Sequence, residues 1–145
     1  MIENRIGQLI EDWTKSVRED PRIQSDAKLS KPELIDHVPA IIQEISELIR
    51  KSETPEVRNS IEARANVYTR LRQGYSGQDL VRELSLLRIT LLDYLMEISS
   101  KHSLTAQERN GSARIINLYL DEEMRYAISI FCERSIDFPQ ETSPS

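Results

Sequence analysis

The sequence predicts an all-α fold, an antiparallel bundle of about five helices with a long C-terminal helix. Three features of the 145-residue chain carry this reading. Apolar residues recur at three- and four-residue spacing in several long segments, the period of a helix with a buried face. Ser/Thr start signals, two of them full capping boxes, precede most of those segments. Six prolines and four glycines fall mostly at segment ends. A globin-like helical fold is the alternative arrangement.

The length is that of one domain, placed at residues 1–134 with a linker or disordered tail at 135–145. At this size roughly two thirds of the unfolded surface can be buried, so the core needs no disulfide or metal. Cys132 is the single cysteine, and the chain has 19 basic against 24 acidic residues, net −5. That balance argues against nucleic acid or an anionic membrane as partner. No run reaches the ~18 apolar residues of a membrane span. The acidic start MIENRIGQLIEDW lacks a basic signal region. A cytoplasmic location is expected.

The first helix is expected over residues 2–18, with Ile2, Ile6, Leu9, Ile10, Trp13 and Val17 in one stripe and Trp13 as a core anchor. Asp20-Pro21 ends it, since a residue before proline leaves the α region. Residues 19–30 are polar and without period. Ser30-Lys31-Pro32-Glu33 reads as a capping box. The helix it starts carries Leu34, Ile35, Val38, Ile41, Ile42, Ile45, Leu48 and Ile49, with Pro39 inside the pattern. That proline predicts a kink or a detached first turn. Thr54-Pro55-Glu56 is expected to start the third helix. Its inner stripe is placed at Ile61, Ala65 and Tyr68, prolonged by the Arg72 stem, with Val67 and Leu71 beside it.

Gly74 is placed to end that helix in a left-handed conformation. Ser76 caps the fourth, with Asp79 in its first turn. Leu80, Leu84, Leu87, Leu91, Leu95 and Ile98 form its main face, and Leu86, Ile89 and Met96 lie roughly opposite. The connection is placed at residues 99–105, with His102 exposed. Thr105-Ala106-Gln107-Glu108 caps a helix running to about Arg134. That helix has two stripes. One is Ala113, Ile116, Leu120, Met124, Ala127 and Phe131; the other is Ile115, Tyr119, Tyr126 and Ile130.

Two residues are candidates for ligand binding. Arg88 falls within the main apolar face, where a guanidinium needs a partner, and the sequence places that partner on another helix. An anionic ligand is the sharper alternative. His37 lies at an apolar edge one turn after Glu33. It reads as a helix-edge histidine satisfied by that acid, as one of two metal ligands with it (though a zinc site would need more, and only the distant His102 and Cys132 remain) or, in the globin-like alternative, as a haem ligand. The second faces of the last two helices, with Leu86, Ile89, Met96, Tyr119 and Tyr126, are the candidate dimer interface. Asp121-Glu122-Glu123 is expected to be a solvated face, because adjacent helical residues point apart.

No catalytic site, no metal site and no cofactor motif is found: the chain has no phosphate loop, no Cys-x-x-Cys and no His-Glu-x-x-His. No carboxylate stands out as alone on an apolar stripe, where burial would raise its pKa.

Gly74-Tyr75-Ser76 followed by Asp79-Leu80-Val81-Arg82-Glu83-Leu84-Ser85-Leu86-Leu87-Arg88 resembles the N-terminal sensor domain of RsbRD-type co-antagonists of the bacterial stress-response switch kinase. The same domain stands at the front of some bacterial sensor histidine kinases. Glu33-Leu34-Ile35-Asp36-His37-Val38-Pro39 is similar to that family's second helix, and Trp13 with Val17-Arg18-Glu19-Asp20 to its first. One departure is Asn66, where the family often has histidine, four residues before the arginine matching Arg70. The resemblance implies a non-catalytic, cytoplasmic, dimeric input domain that modulates an attached or partner histidine kinase or anti-sigma module. The alternatives are a haem- or small-ligand-binding globin-like sensor and a plain dimerisation or scaffold module.

Overall fold

A computed structural model of the chain describes residues 5–55 and 60–137, with side chains through Glu133. The described residues form helices α1 (Ile6–Glu19), α2 (Lys31–Ile35), α3 (Val38–Lys51), α4 (Ile61–Arg72), α5 (Gly77–His102) and α6 (Ala106–Asp137), with a 3-10 turn at Ser25–Lys28. No strand occurs among them. The fold is the expected all-α bundle, five long helices plus the single turn of α2.

Local chemistry explains most boundaries. Asp20 is extended before Pro21, which stops α1. Ser30 and Glu33 form the reciprocal capping box of α2. The helix breaks at Asp36 and His37 and resumes at Val38, so Pro39 detaches the first turn. Gly74 adopts φ 82°. Its amide donates to the Leu71 carbonyl and the Tyr75 amide to the Arg70 carbonyl, the Schellman arrangement. Ser76 then accepts from the Asp79 amide to start α5. Thr105 and Glu108 cap the start of α6 reciprocally.

Four boundaries differ from expectation. The Asp79 carboxylate accepts from the amides of Gln24 and Ser25 and from the Ser25 hydroxyl, which orders part of the polar 19–30 stretch as a 3-10 turn. Ser60, not Thr54, caps α4, which begins at Ile61; Glu56 lies outside the described residues. Helix α5 continues through His102, which is exposed as expected, so the connection is only three residues. Helix α6 extends to Asp137, into the stretch assigned to the tail, whose remainder lies outside the described residues.

Helices α5 and α6 are antiparallel, as their short connection requires; Gly77 at one end of α5 meets Phe131 near the far end of α6. Helix α5 also packs on α1, while α6 reaches α3 and α4. The main α5 face, Leu80, Leu84, Leu87, Leu91, Leu95 and Ile98, is buried as predicted. Trp13 is buried among it, and its indole donates to the Glu83 carbonyl at 3.2 Å.

Helix α4 is turned the other way. Ile61 is 80% exposed and Tyr68 41%, whereas Ala63, Asn66, Val67 and Arg70 are buried. The expected apolar stripe faces outward. The inward face is partly polar because its side chains find partners on α5 and α6.

Candidate functional site

Those partners build a polar seam through the core. Arg70 and Glu83 form an ion pair at 2.8 Å, each side chain 1% exposed. Arg70 also donates to the carbonyls of Glu33 and Leu34 and to Gln73. Its guanidinium lies over the Tyr75 ring, 4.9 Å from the centroid. One cation thereby ties α2, α4, the Gly74 turn and α5 together. Burial pushes the Glu83 carboxyl up, and the Arg70 charge opposes that push. Glu83 Oε2 and the Tyr75 hydroxyl both lack a well-formed hydrogen bond.

The second half of the seam lies one turn away on α4. Asn66 donates to Glu123 Oε2 at 3.0 Å. Glu123 is fully buried, and its Oε1 has no hydrogen-bond partner. Desolvation pushes its carboxyl up to about 8; Asn66 and Arg70 pull it down, while Glu83 and Glu44 push it further up. Beside it, the Tyr119 hydroxyl donates to Glu44 at 3.1 Å and lies 3.4 Å from the Ser60 hydroxyl. Burial foremost, with the nearby Glu123 charge, raises the Tyr119 phenol. The seam therefore holds two buried carboxylates, of which only Glu83 is paired with the Arg70 guanidinium.

The sequence offers no residue of this seam as a ligand site; Tyr119 is placed at the candidate dimer interface, and Asn66 and Arg70 enter only through the family resemblance. Glu123 was expected to be solvated, and no acid was expected on a buried face. Both expectations fail because α6 buries Ile116, Tyr119, Leu120, Glu123 and Ala127 together. The usable signal is that spacing: Glu123 continues the Ile116–Leu120 face at i+3 and precedes Ala127 at i+4.

The candidate ligand residues Arg88 and His37 lie elsewhere. Arg88 does find its partners on another helix, donating to Asn117 at 3.2 Å and Asp121 at 2.5 Å on α6. It stands at the rim, with its side chain 24% exposed, and not inside the core. His37 pairs with Glu62 at 3.4 Å and Thr69 at 3.0 Å. Glu33, its expected partner, caps α2 instead. Both imidazole nitrogens are thus engaged by α4. Of the dimer-interface candidates, Tyr119 and Leu86 are buried within their own chain. Ile89 and Met96 are 47% and 56% exposed. Tyr126 is half-buried, edge-to-face with Tyr68. Among the described residues, no group of three or more His, Cys, Asp or Glu is placed to hold a metal. No helix among them is long and apolar enough to cross a membrane.

No curated protein and no solved structure matches the chain. The family comparison is positive. Residues 7–135 match the model of the RsbT co-antagonist protein rsbRD N-terminal domain, and the chain belongs to that family of stress-response regulatory domains.

Proposed function

We propose that the chain is a non-catalytic input domain that modulates an attached or partner histidine kinase or anti-sigma module through helix packing and dimerisation. Family membership supplies the regulatory class. The observation that favours a packing mechanism is the dual role of α6. Its inner face holds Glu123 in the polar seam, and its outer side carries Asp121, paired to Arg88, and Ile128, which is 52% exposed. A shift in the seam therefore moves surface groups on the same rigid element. A ligand or partner that prefers one packing shifts the population by its differential affinity.

The exposed Ile89 and Met96 lie seven residues apart on α5, two turns along one face. That strip is where a second copy would seat. Sedimentation equilibrium tests this part. The expected result is a dimer of the 16.8 kDa chain that Ile89→Glu with Met96→Glu converts to monomer. A wild-type monomer at every concentration removes dimerisation from the reading. The regulatory part is tested by the output of the partner kinase with and without the domain; an identical output refutes it.

A further inference from the structure

We propose that the α4–α6 contact is a proton-operated latch, closed while Glu123 is a neutral acid and loosened when Glu123 ionises. The proposal goes beyond the input-domain reading and stands or falls without it. It rests on an imbalance of charge and of hydrogen bonds in the core. Glu83 from α5 already neutralises Arg70 from α4, and the hydrogen bonds of Arg70 run to Glu83, two carbonyls and Gln73. Glu123 is left with one donor, Asn66, and one orphaned oxygen.

The titratable and charged groups that bear on Glu123 are Glu44 on α3, Arg70 on α4, Glu83 on α5 and Tyr119 on α6 itself. Two of these four are carboxylates, one is the single cation, and burial keeps the Tyr119 phenol neutral. An ionised Glu123 is thus a second core anion facing acids, with one amide to stabilise it. An unpaired buried charge recruits water or moves out of the core. Helix α6 carries Glu123 and α4 carries Asn66, so their separation is the motion that hydrates the carboxylate.

The sign follows from linkage. The carboxyl is held up to about 8 in the closed bundle, against an ordinary value of 4.5. The closed state binds the extra proton between those limits and loses its advantage as pH rises through them. The opening equilibrium grows by at most about tenfold per pH unit in that window.

The experiment is amide hydrogen exchange of the full chain at pH 6, 7 and 8, corrected for intrinsic rates, on wild type and Glu123→Gln. A ¹³C titration of the Glu123 carboxyl in wild type accompanies it. The latch predicts a midpoint well above the ordinary range. It also predicts that α4 and α6 peptides lose protection with pH faster than α1 peptides, and that Glu123→Gln abolishes the difference. The same pH dependence in both proteins, or uniform loss over all helices, overturns the proposal. So does a Glu123 midpoint below about pH 6. That last readout needs only wild type, so it decides the matter even where the glutamine variant does not fold.

Discussion

Arg70 is a residue whose loss the structure makes costly, because it is the buried partner of a buried carboxylate. Arg70→Met keeps the length of the stem and removes the charge. Glu83 then stands in a site 1% exposed with no cation beside it. Its cheapest response is to take up a proton. Its ordinary value is 4.5, so at pH 7 the gap is about 2.5 units at roughly 1.4 kcal/mol per unit, or about 3 kcal/mol. The buried Leu34 carbonyl also loses its donor, which adds about 1 kcal/mol or more. The expected loss is therefore about 4–5 kcal/mol, a large share of the ~5–15 kcal/mol that holds a domain together. The assay is urea unfolding of wild type, Arg70→Met, Glu83→Leu and the double variant at several pH values. Because Glu83 is raised in the folded variant, its cost grows with pH, so the Arg70→Met deficit shrinks by up to about 1.4 kcal/mol per unit from pH 7 to 5. The double variant leaves no orphaned charge and should recover at least about 2 kcal/mol over the sum of the singles. Additive singles with a pH-independent deficit refute the buried ion pair as the organiser of this seam.

Three further outcomes are expected. Arg88→Ala, at the rim with its partner Asp121 more than half exposed, should cost about 1 kcal/mol or less in the same unfolding assay; a loss comparable to Arg70→Met contradicts the assignment of the two arginines. Gly74→Ala meets no atom within 4 Å but must hold φ 82°, so about 1 kcal/mol of backbone strain should appear as a lower melting temperature; no change refutes the left-handed turn. Asp79 is held below the ordinary carboxylate range: burial opposes this, but bonds from Ser25, Gln24 and Ser76 outweigh it. Its contribution is present at neutral pH and lost as pH falls. Asp79→Ala should thus destabilise at pH 7 and converge on wild type in acid, and a constant offset between the two curves contradicts this.

The candidate site was much less legible than the fold. Arg88 drew notice because it interrupts a leucine face, yet a long side chain there reaches the rim and meets Asp121. Arg70 does not stand out in the sequence, because α4 has as many polar as apolar residues and offers no dominant stripe. Its apolar candidates Ile61 and Tyr68 ended outside, since pairing Arg70 with Glu83 and Asn66 with Glu123 fixes the rotation of the helix. A sequence pattern ranks faces by hydrophobicity. It does not see that a polar face becomes the buried one when complementary groups wait 13 and 57 residues away.

The sequence by itself determined whatever depends on neighbours within a turn or two. The capping boxes at Ser30 and Thr105, the break before Pro39, the left-handed Gly74 and the leucine face of α5 are all local consequences of side-chain reach and backbone sterics. Tertiary structure alone decided which face of α4 turns inward, that Glu123 is buried without a countercharge, and that Tyr119 belongs to the core. Each depends on partners brought together from distant helices, and a charge's fate in the core is set by those partners and not by its position in the chain.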